Sequence, residues 1–192
     1  MSSAATNHPF SVPRYPSGQT CPAASEHLLV TQGAGQEERD ALAAQLGKVR
    51  ITHLALPDFP SVADLQLVLS TTLKDARVGL RLDLRGDEAF VWPLHALARA
   101  AGLLADEIFM SSSPEGTRLV FCVHCATCQP ATSAGHLTCT QCGVMLEVRR
   151  HFSQRLGAYL GVCADADQPY QGVQPCAPCS TSASPPSVSS PR

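Results

Sequence analysis

Two pairs of closely spaced cysteines constrain this chain more than any other feature. Cys122 and Cys125 form the first pair and Cys139 and Cys142 the second, with two residues inside each pair. The 13 residues 126–138 lie between the pairs, which is enough chain for a hairpin. Two intervening residues let a tight turn direct both sulfurs at one ion, so this spacing is typical of a zinc ribbon. The sequence predicts one tetrahedral zinc site that is structural, because four thiolates leave no open position for water or substrate.

The ligand set and the metal each have an alternative. Cys128 forms an overlapping C-x-x-C with Cys125 and competes with Cys122, which we prefer because it ends a predicted strand. His124 and His136 are expected to be exposed loop residues, since four thiolates already complete the site. Iron is the alternative metal, because rubredoxin-like electron-transfer sites use the same four-sulfur geometry.

The remaining cysteines carry no assigned function. Cys176 and Cys179 lie in a tail rich in Pro and Ser, and neither Cys21 nor Cys163 has an evident partner. No apolar run is long enough to cross a bilayer, and the first residues lack the cationic and apolar regions of a secretory signal. We therefore expect a cytoplasmic protein, where paired cysteines bind metal more often than they form disulfides.

Composition argues against two classes of partner. The formal net charge is −2, and the 14 Lys and Arg residues are scattered without a basic stripe. Such a chain is not expected to bind nucleic acid or an anionic membrane. Residues 1–24 and 164–192 are rich in Pro, Ser and Thr, so both ends are predicted to be disordered.

Between these ends, the apolar residues alternate between strand and helix spacing. Strand patterns occur at residues 27–30, 50–56, 78–84, 107–110 and 119–121, and helix patterns at residues 37–46, 62–73 and 88–104. Strands joined through helices imply right-handed crossovers and a mainly parallel sheet. The predicted fold class is α/β, with a Rossmann-like domain over residues 25–118, helices on both of its faces, and a zinc ribbon over residues 119–163.

Evidence for a nucleotide site or a catalytic site is weak. No strand-to-helix turn carries G-x-G-x-x-G or a Walker A motif, and Gly33-Ala34-Gly35 alone is more often a tight turn than a phosphate loop. Asp87, Glu88 and His95 are the candidates if the domain is a stand-alone NAD(P)- or flavin-dependent oxidoreductase. A Glu and a His two helical turns apart are usually solvated or core groups, so no catalytic residue is assigned.

Three short sequence motifs resemble one known family. Residues 148–162, VRRHFSQRLGAYLGV, resemble the H-F-S-x-R-x-G-A-Y-x-G signature that closes the zinc-ribbon small subunit of dimethylamine monooxygenase. Residues 86–92, GDEAFVW, are similar to the family's G-D-E-A-F-x-W, and residues 120–125, VFCVHC, to its strand before the first knuckle. The resemblance spans residues 78–162.

The resemblance implies a role in a complex. That enzyme demethylates secondary methylamines oxidatively with NADPH and O2, and it has a haem-bearing subunit and a reductase subunit with FMN and an iron–sulfur cluster. The small subunit is then expected to support assembly or electron transfer, with the oxygen chemistry on its partners. A second similarity, to the last βαβ unit of ferredoxin-reductase-type nicotinamide domains, lacks the glycine-rich phosphate loop, which argues against a working nucleotide site.

The signature segment also predicts a docking face. It combines cationic and aromatic side chains, which suit interfaces because they join contact area to directional hydrogen bonds. The predicted partner-binding residues are Arg149, Arg150, His151, Phe152, Arg155 and Tyr159. The alternative is that these residues only cap and pack the ribbon.

Overall fold

The chain builds two sheets, one parallel and one mixed, which are seen in a computed structural model. The structure describes residues 11–13, 15, 24–113, 115–132 and 135–166. The predictions for Cys21, Cys176 and Cys179, and that of a disordered tail beyond residue 166, lie outside the described residues. Among the described residues, no helix is long and apolar enough to cross a bilayer.

The first sheet follows the predicted alternation of strands and helices. Its strands are β1 (Glu26–Thr31), β2 (Arg50–Ala55), β3 (Leu80–Gly86) and β4 (Ile108–Ser112), in the order β2-β1-β3-β4. The connecting helices are α1 (Gln36–Leu46), α2 (Val62–Lys74) and α3 (Glu88–Ala100). Every neighbouring pair of strands is parallel. The predicted mixed α/β class with a parallel sheet is therefore confirmed.

One face of the parallel sheet holds most of the hydrophobic core. Leu28 and Val30 of β1 and Leu82 and Leu84 of β3 alternate along their strands and are fully buried. Helix α2 contributes about one leucine per turn, so its apolar stripe faces the sheet, and α3 packs beside it. The buried side chains of these two helices are Leu65, Leu69, Leu73, Phe90, Val91, Trp92, Leu94 and Ala98.

The opposite face of this sheet is more polar. Right-handed crossovers place α1 on this face, where it buries only Leu42 among its side chains. His27 is 1% exposed and donates from Nδ1 to Oδ2 of Asp83 at 3.1 Å, since an ionised carboxylate only accepts. The Thr31 hydroxyl pairs with Nε2 of His53 at 3.0 Å. Cross-strand polar pairs therefore replace much of the apolar packing on this side.

Helix α3 is shorter than the sequence pattern predicts. The pattern continues to residue 104, whereas the helix ends at Ala100. Gly102 adopts a left-handed backbone with φ 104°, and the N–H of Leu103 donates to the carbonyl of Ala98 at 3.1 Å. This is the hydrogen bond of a Schellman motif, which ends a helix at a glycine even where apolar residues continue.

The second sheet is formed by the C-terminal half of the described residues. Its strands are β5 (Arg118–Cys122), β6 (Cys128–Ala131), β7 (His136–Thr138), β8 (Met145–Ser153) and β9 (Ala158–Cys163), in the order β6-β5-β9-β8-β7. Strand β5 runs parallel to β9, and the other neighbouring pairs are antiparallel. The apolar pattern of β5 continues the alternation of strands and helices in the parallel-sheet domain. Strand β5 nevertheless pairs with β6 and β9 and belongs to the second sheet.

The two sheets share a core at the start of α3. Phe152 of β8 is 1% exposed, and its ring centroid lies 4.6 Å from that of Trp92. The Tyr159 ring packs edge-on against Phe152 at 5.0 Å. Gly157, in the turn between β8 and β9, lies so close to α3 that a Cβ there would stand 2.8 Å from Cβ of Trp92. Aromatic contacts and one close backbone approach therefore hold the second sheet on α3.

Part of the N-terminal segment also packs at this junction. Tyr15 donates its hydroxyl to Oε1 of Glu88 at 2.7 Å and accepts from Nε1 of Trp92 at 3.2 Å. The carbonyl of Ser11 accepts from the N–H of Phe152 at 2.7 Å. At these residues the structure differs from the predicted disorder of residues 1–24, because an aromatic ring with a paired hydroxyl is favourable to bury. Most other residues of that segment lie outside the described ranges.

Replacing Gly157 by alanine should destabilise the chain by more than its backbone conformation alone would cost. Gly157 has φ 61°, and an alanine in the left-handed region costs about 1–2 kcal/mol. The new methyl would also lie 2.8 Å from Cβ of Trp92, an overpacked contact that costs about 1–3 kcal/mol. We expect Gly157→Ala to lower the free energy of unfolding by about 3 kcal/mol, in urea titrations followed by tryptophan fluorescence. A loss no greater than the conformational cost would contradict a tight approach to Trp92.

Candidate functional site

Each pair of cysteines lies in a turn of the same local geometry. Cys122 ends β5, and Cys139 follows β7. The carbonyl of Cys122 accepts from the N–H of Ala126 and that of Cys139 from the N–H of Gly143, both at 2.9 Å. Ala126 and Gly143 have left-handed backbones, with φ of 59° and 71°. The two turns are therefore equivalent knuckles.

The structure brings the four predicted thiols together. Sγ of Cys122 lies 3.8 Å from Sγ of Cys142, and Sγ of Cys125 lies 3.6 Å from Sγ of Cys139. All four sulfurs lie within 4.8 Å of one another. A disulfide would place two sulfurs about 2.05 Å apart, so these are free thiols. A tetrahedral ion with metal–sulfur distances of about 2.3 Å separates its sulfurs by about 3.8 Å, and the cluster fits this geometry.

The thiols of this cluster have different proton affinities. A hydrogen bond from Thr127 lowers the pKa of Cys125 to about 6. Burial raises the pKa of Cys142 to about 12 and also raises the pKa of Cys122. Four adjacent thiolates repel one another, and a divalent cation offsets that repulsion. Metal binding at this site therefore displaces protons, and acid competes with the metal for the sulfurs.

The rival ligand and the two histidines lie away from the cluster. Cys128 is an exposed residue of β6 and is not among the thiols that converge. His124 and His136 are exposed, as predicted, but His136 lies in strand β7 and not in a loop. Cys163 packs against the cluster, and its thiol donates to the carbonyl of Asp165 at 3.0 Å.

A buried glutamine supports the second knuckle. Gln129 is 4% exposed, and its Nε2 donates to the carbonyl of Thr138 at 3.1 Å. Its Oε1 accepts from the N–H of Thr140 at 2.8 Å and from the hydroxyl of the same residue at 3.0 Å. The side chain thus ties β6 to the turn that carries Cys139. The sequence analysis missed this role, because a polar residue in a short strand gives no signal of its long-range partner.

Strand β8 contains a bulge within the signature segment. Val148 pairs with Gly161, and the next regular pair joins Phe152 to Tyr159. Residues 149–151 therefore stand opposite a single residue of β9. A bulge releases consecutive side chains from the regular alternation of a strand and redirects them.

The six predicted docking residues divide into an exposed group and an inward group. The exposed residues, which we call the cationic surface, are Arg149, Arg150, His151 and Arg155. Phe152 is buried against Trp92, and Tyr159 is half-buried with the Arg118 guanidinium 5.1 Å above its ring. The two aromatic residues therefore pack inside the chain, and only the cationic surface is open to a partner.

Glu88 lies at the junction of the two sheets. Its Oε1 accepts from the Tyr159 hydroxyl at 3.2 Å as well as from Tyr15. Burial is the main cause that raises the pKa of Tyr159 to about 12, and it also raises the pKa of Tyr15. One carboxylate thus connects the N-terminal segment, α3 and β9. The sequence analysis did not find this role, because the partners lie 73 and 71 positions away.

The other two catalytic candidates have structural contacts. Oδ1 of Asp87 accepts from the N–H of Phe90 at 2.9 Å, so Asp87 is the N-cap of α3. His95 stacks edge-on against Trp92 with ring centroids 5.2 Å apart, and burial lowers its pKa. Among the described residues, no hydrogen bond joins Glu88 to His95.

Cys139→Ala should release a bound metal, whereas Cys128→Ala should retain it. The first variant removes a thiol of the cluster and the second removes one outside it. A structural metal supplies folding free energy on the order of 10 kcal/mol, so Cys139→Ala should also unfold the second sheet. Metal content per chain and far-ultraviolet circular dichroism check both outcomes. The ligand set would be wrong if both variants kept the metal or if both lost it.

An alkaline titration should show Tyr15 and Tyr159 ionising late. Burial and Glu88 raise both pKa values above the ordinary 10.0, which favours the neutral hydroxyls in the folded chain. The contribution of Tyr159 to stability is therefore complete below pH 10 and is lost as the pH rises to about 12. The pKa of Tyr15 is raised further, so Tyr15 ionises after Tyr159. Tyrosinate absorbance should follow this order, and Tyr159→Phe should remove one late step. Ionisation of Tyr159 at its ordinary pKa would contradict the buried contact with Glu88.

Comparison with known proteins finds a family that is similar to the cysteine-containing part of this chain. Residues 119–162 match the family described as dimethylamine monooxygenase subunit DmmA-like, C-terminal domain. The matched range contains the four converging cysteines, the bulge of β8 and the contacts with α3. No solved structure matches the chain. The predicted resemblance is confirmed over residues 119–162, where this chain is similar to the C-terminal domain of the DmmA-like family.

Proposed function

We propose that this chain is a small, non-catalytic subunit of a multicomponent dimethylamine monooxygenase. The observation that carries the proposal is the match of residues 119–162 to the DmmA-like C-terminal domain, together with a four-thiol cluster inside that range. In this role the second sheet is a zinc ribbon, and the parallel sheet is the Rossmann-like platform that supports it. The complex operates in the cytoplasm, where its thiols stay reduced.

The metal is zinc in a structural role. When bound, zinc cross-links the two knuckles and neutralises the thiolates, without an open position for a substrate. Iron would fit the same four sulfurs and would make the domain a rubredoxin-like electron carrier. The colour of the purified chain separates the two metals. A colourless chain with one zinc per molecule supports the proposal, and a red chain with ferric-thiolate absorption contradicts it.

The cationic surface docks the partner subunits. Arg149, Arg150 and His151 lie in the bulge of β8, which Phe152 anchors in the core, and Arg155 lies in the turn that follows. These side chains are therefore presented from a rigid support. Arginine is enriched where interfaces bind tightly, because its guanidinium combines contact area with five donors. Only Arg149 of this surface has an ion pair among the described residues, with Glu147 at 2.9 Å. Arg150 and Arg155 are open to carboxylates of a partner.

The oxygen chemistry belongs to the partners. Haem lies on one partner subunit, and FMN, an iron–sulfur cluster and the NADPH site lie on the reductase subunit. The described residues bring together one group of metal-ligand side chains, the four cysteines, and that group is closed once it holds an ion. This chain then supports assembly or the approach of the reductase to the haem subunit while the amine is demethylated elsewhere.

Arg155→Ala should weaken partner binding and leave the metal in place. An exposed interface arginine that acts as an anchor contributes about 2 kcal/mol, which corresponds to about 30-fold in affinity. Arg77→Ala removes an exposed arginine of the parallel-sheet domain and serves as the control. Affinity for the haem-bearing and reductase subunits, with metal content alongside, checks the outcome. Equal affinity of the Arg155 and Arg77 variants would show that Arg155 makes no energetically important contact with a partner subunit.

The complex itself tests the proposed function directly. The haem-bearing and reductase subunits should assemble poorly, or oxidise NADPH slowly with dimethylamine, when this chain is left out. Adding back the purified chain should restore the rate. Full assembly and full turnover without the chain would show that the proposed role is wrong.

A further inference from the structure

A cavity of about 600 Å³ opens at the carboxyl edge of the parallel sheet. From β1 the chain turns to β2 on one side, and from β3 it turns to β4 on the other, so the two loops diverge at this point. Parallel sheets bind ligands where their connections diverge in this way. The volume lies within the range of small-molecule sites, which extends from about 300 to about 1,000 Å³.

Hydrogen bonds between the loops hold the walls of this cavity in place. Nε2 of Gln32 donates to Oδ2 of Asp87 at 3.2 Å, and Oε1 of Gln32 accepts from the N–H of Asp87 at 2.7 Å. The Thr31 hydroxyl donates to the carbonyl of Gly33 at 2.8 Å. The N–H of Ser113 donates to the carbonyl of Gly86 at 3.0 Å. The loops after β1, β3 and β4 are thus fixed to one another, which gives a preformed site.

Several polar side chains at the wall of the cavity are available to a ligand. Arg85 lines the cavity, and within the described residues its guanidinium has no carboxylate partner. Ser111 and Ser113 line the same space and are exposed. Two acidic residues line the cavity, Glu38 and Asp87. Asp87 caps α3, whereas Glu38 caps no helix. Gly33 faces open space, since a Cβ there would meet nothing within 4 Å.

We propose that this cavity binds a small molecule that carries a phosphate group and hydroxyl groups, with the size of a nucleotide. Arg85 would hold the phosphate by charge-assisted hydrogen bonds, with the serine hydroxyls as further donors. Glu38 accepts from a hydroxyl of the ligand. The sequence gives little sign of this site because the loop has two glycines instead of three, yet Gly33 leaves room for a ligand beside the backbone. This proposal is independent of docking to partner subunits.

Two pairs of variants of the full chain test the proposal. Arg85→Gln removes the charge, and Arg77→Gln removes an exposed arginine outside the cavity. Gly33→Leu fills the open space without strain, and Ala34→Leu adds the same side chain at an exposed neighbour that does not line the cavity. Amide chemical shifts of the metal-loaded chain are followed as ADP, pyrophosphate or adenosine is added to low millimolar concentration.

ADP should shift the amides of residues 31–33 and 85–87 in a saturable way, and Arg85→Gln and Gly33→Leu should each weaken this binding by about tenfold or more. The two control variants should bind as the original chain does. Competition by pyrophosphate with no binding of adenosine would identify the phosphate as the recognised group. Tighter binding of ADP than of pyrophosphate would show that the hydroxyl-bearing part of the ligand is recognised as well.

Three results would overturn the proposal. The first is no shift at these residues with either ADP or pyrophosphate. The second is binding that Arg85→Gln and Gly33→Leu leave unchanged. The third is adenosine binding as tightly as ADP. Because none of these measurements involves a partner subunit, failure here leaves the docking role standing, and failure of assembly leaves this site standing.

Discussion

The packing of Trp92 against Phe152 joins the two sheets through one shared core. Trp92 belongs to the helix that follows β3, and Phe152 belongs to β8, yet both lie in the same buried core. Gly157 permits this contact, because any side chain there would press on Trp92. Glu88 then adds polar contacts to Tyr15 and Tyr159 at the edge of the aromatic group. The orientation of the cysteine cluster relative to the parallel sheet depends on this junction.

The second sheet has little core of its own. Its buried cluster consists of Cys122, Cys139, Val144 and Leu146, so two of its four members are metal-ligand candidates. So small an apolar cluster cannot offset the conformational entropy of five short strands, and small domains of this kind need a staple. The aromatic junction with α3 stabilises one end of the sheet, and an ion held by the four cysteines would stabilise the other.

Local patterns predicted much of the fold, and long-range contacts account for what they missed. Apolar periodicity located each strand and helix of the parallel sheet, and the spacing of the cysteines predicted which thiols converge. The sequence placed residues 119–121 in the predicted ribbon but could not identify β9 as the parallel partner of β5, because that pairing joins residues far apart along the chain. It also missed Tyr15 and Gln129, whose roles depend on distant acceptors. Periodicity further extended α3 past Gly102, where a backbone effect ends the helix.

The bulge of β8 makes the exposed side chains of residues 149–151 independent of the side chains that pack in the core. A regular strand turns every second side chain inward, so consecutive residues cannot all vary freely. Here residues 149–151 oppose one residue of β9, while Val148 and Phe152 on either side keep their partners. Other side chains could stand at these three positions with the cysteine cluster and the shared core unchanged. The bulge therefore leaves three consecutive side chains free to vary inside an otherwise constrained strand.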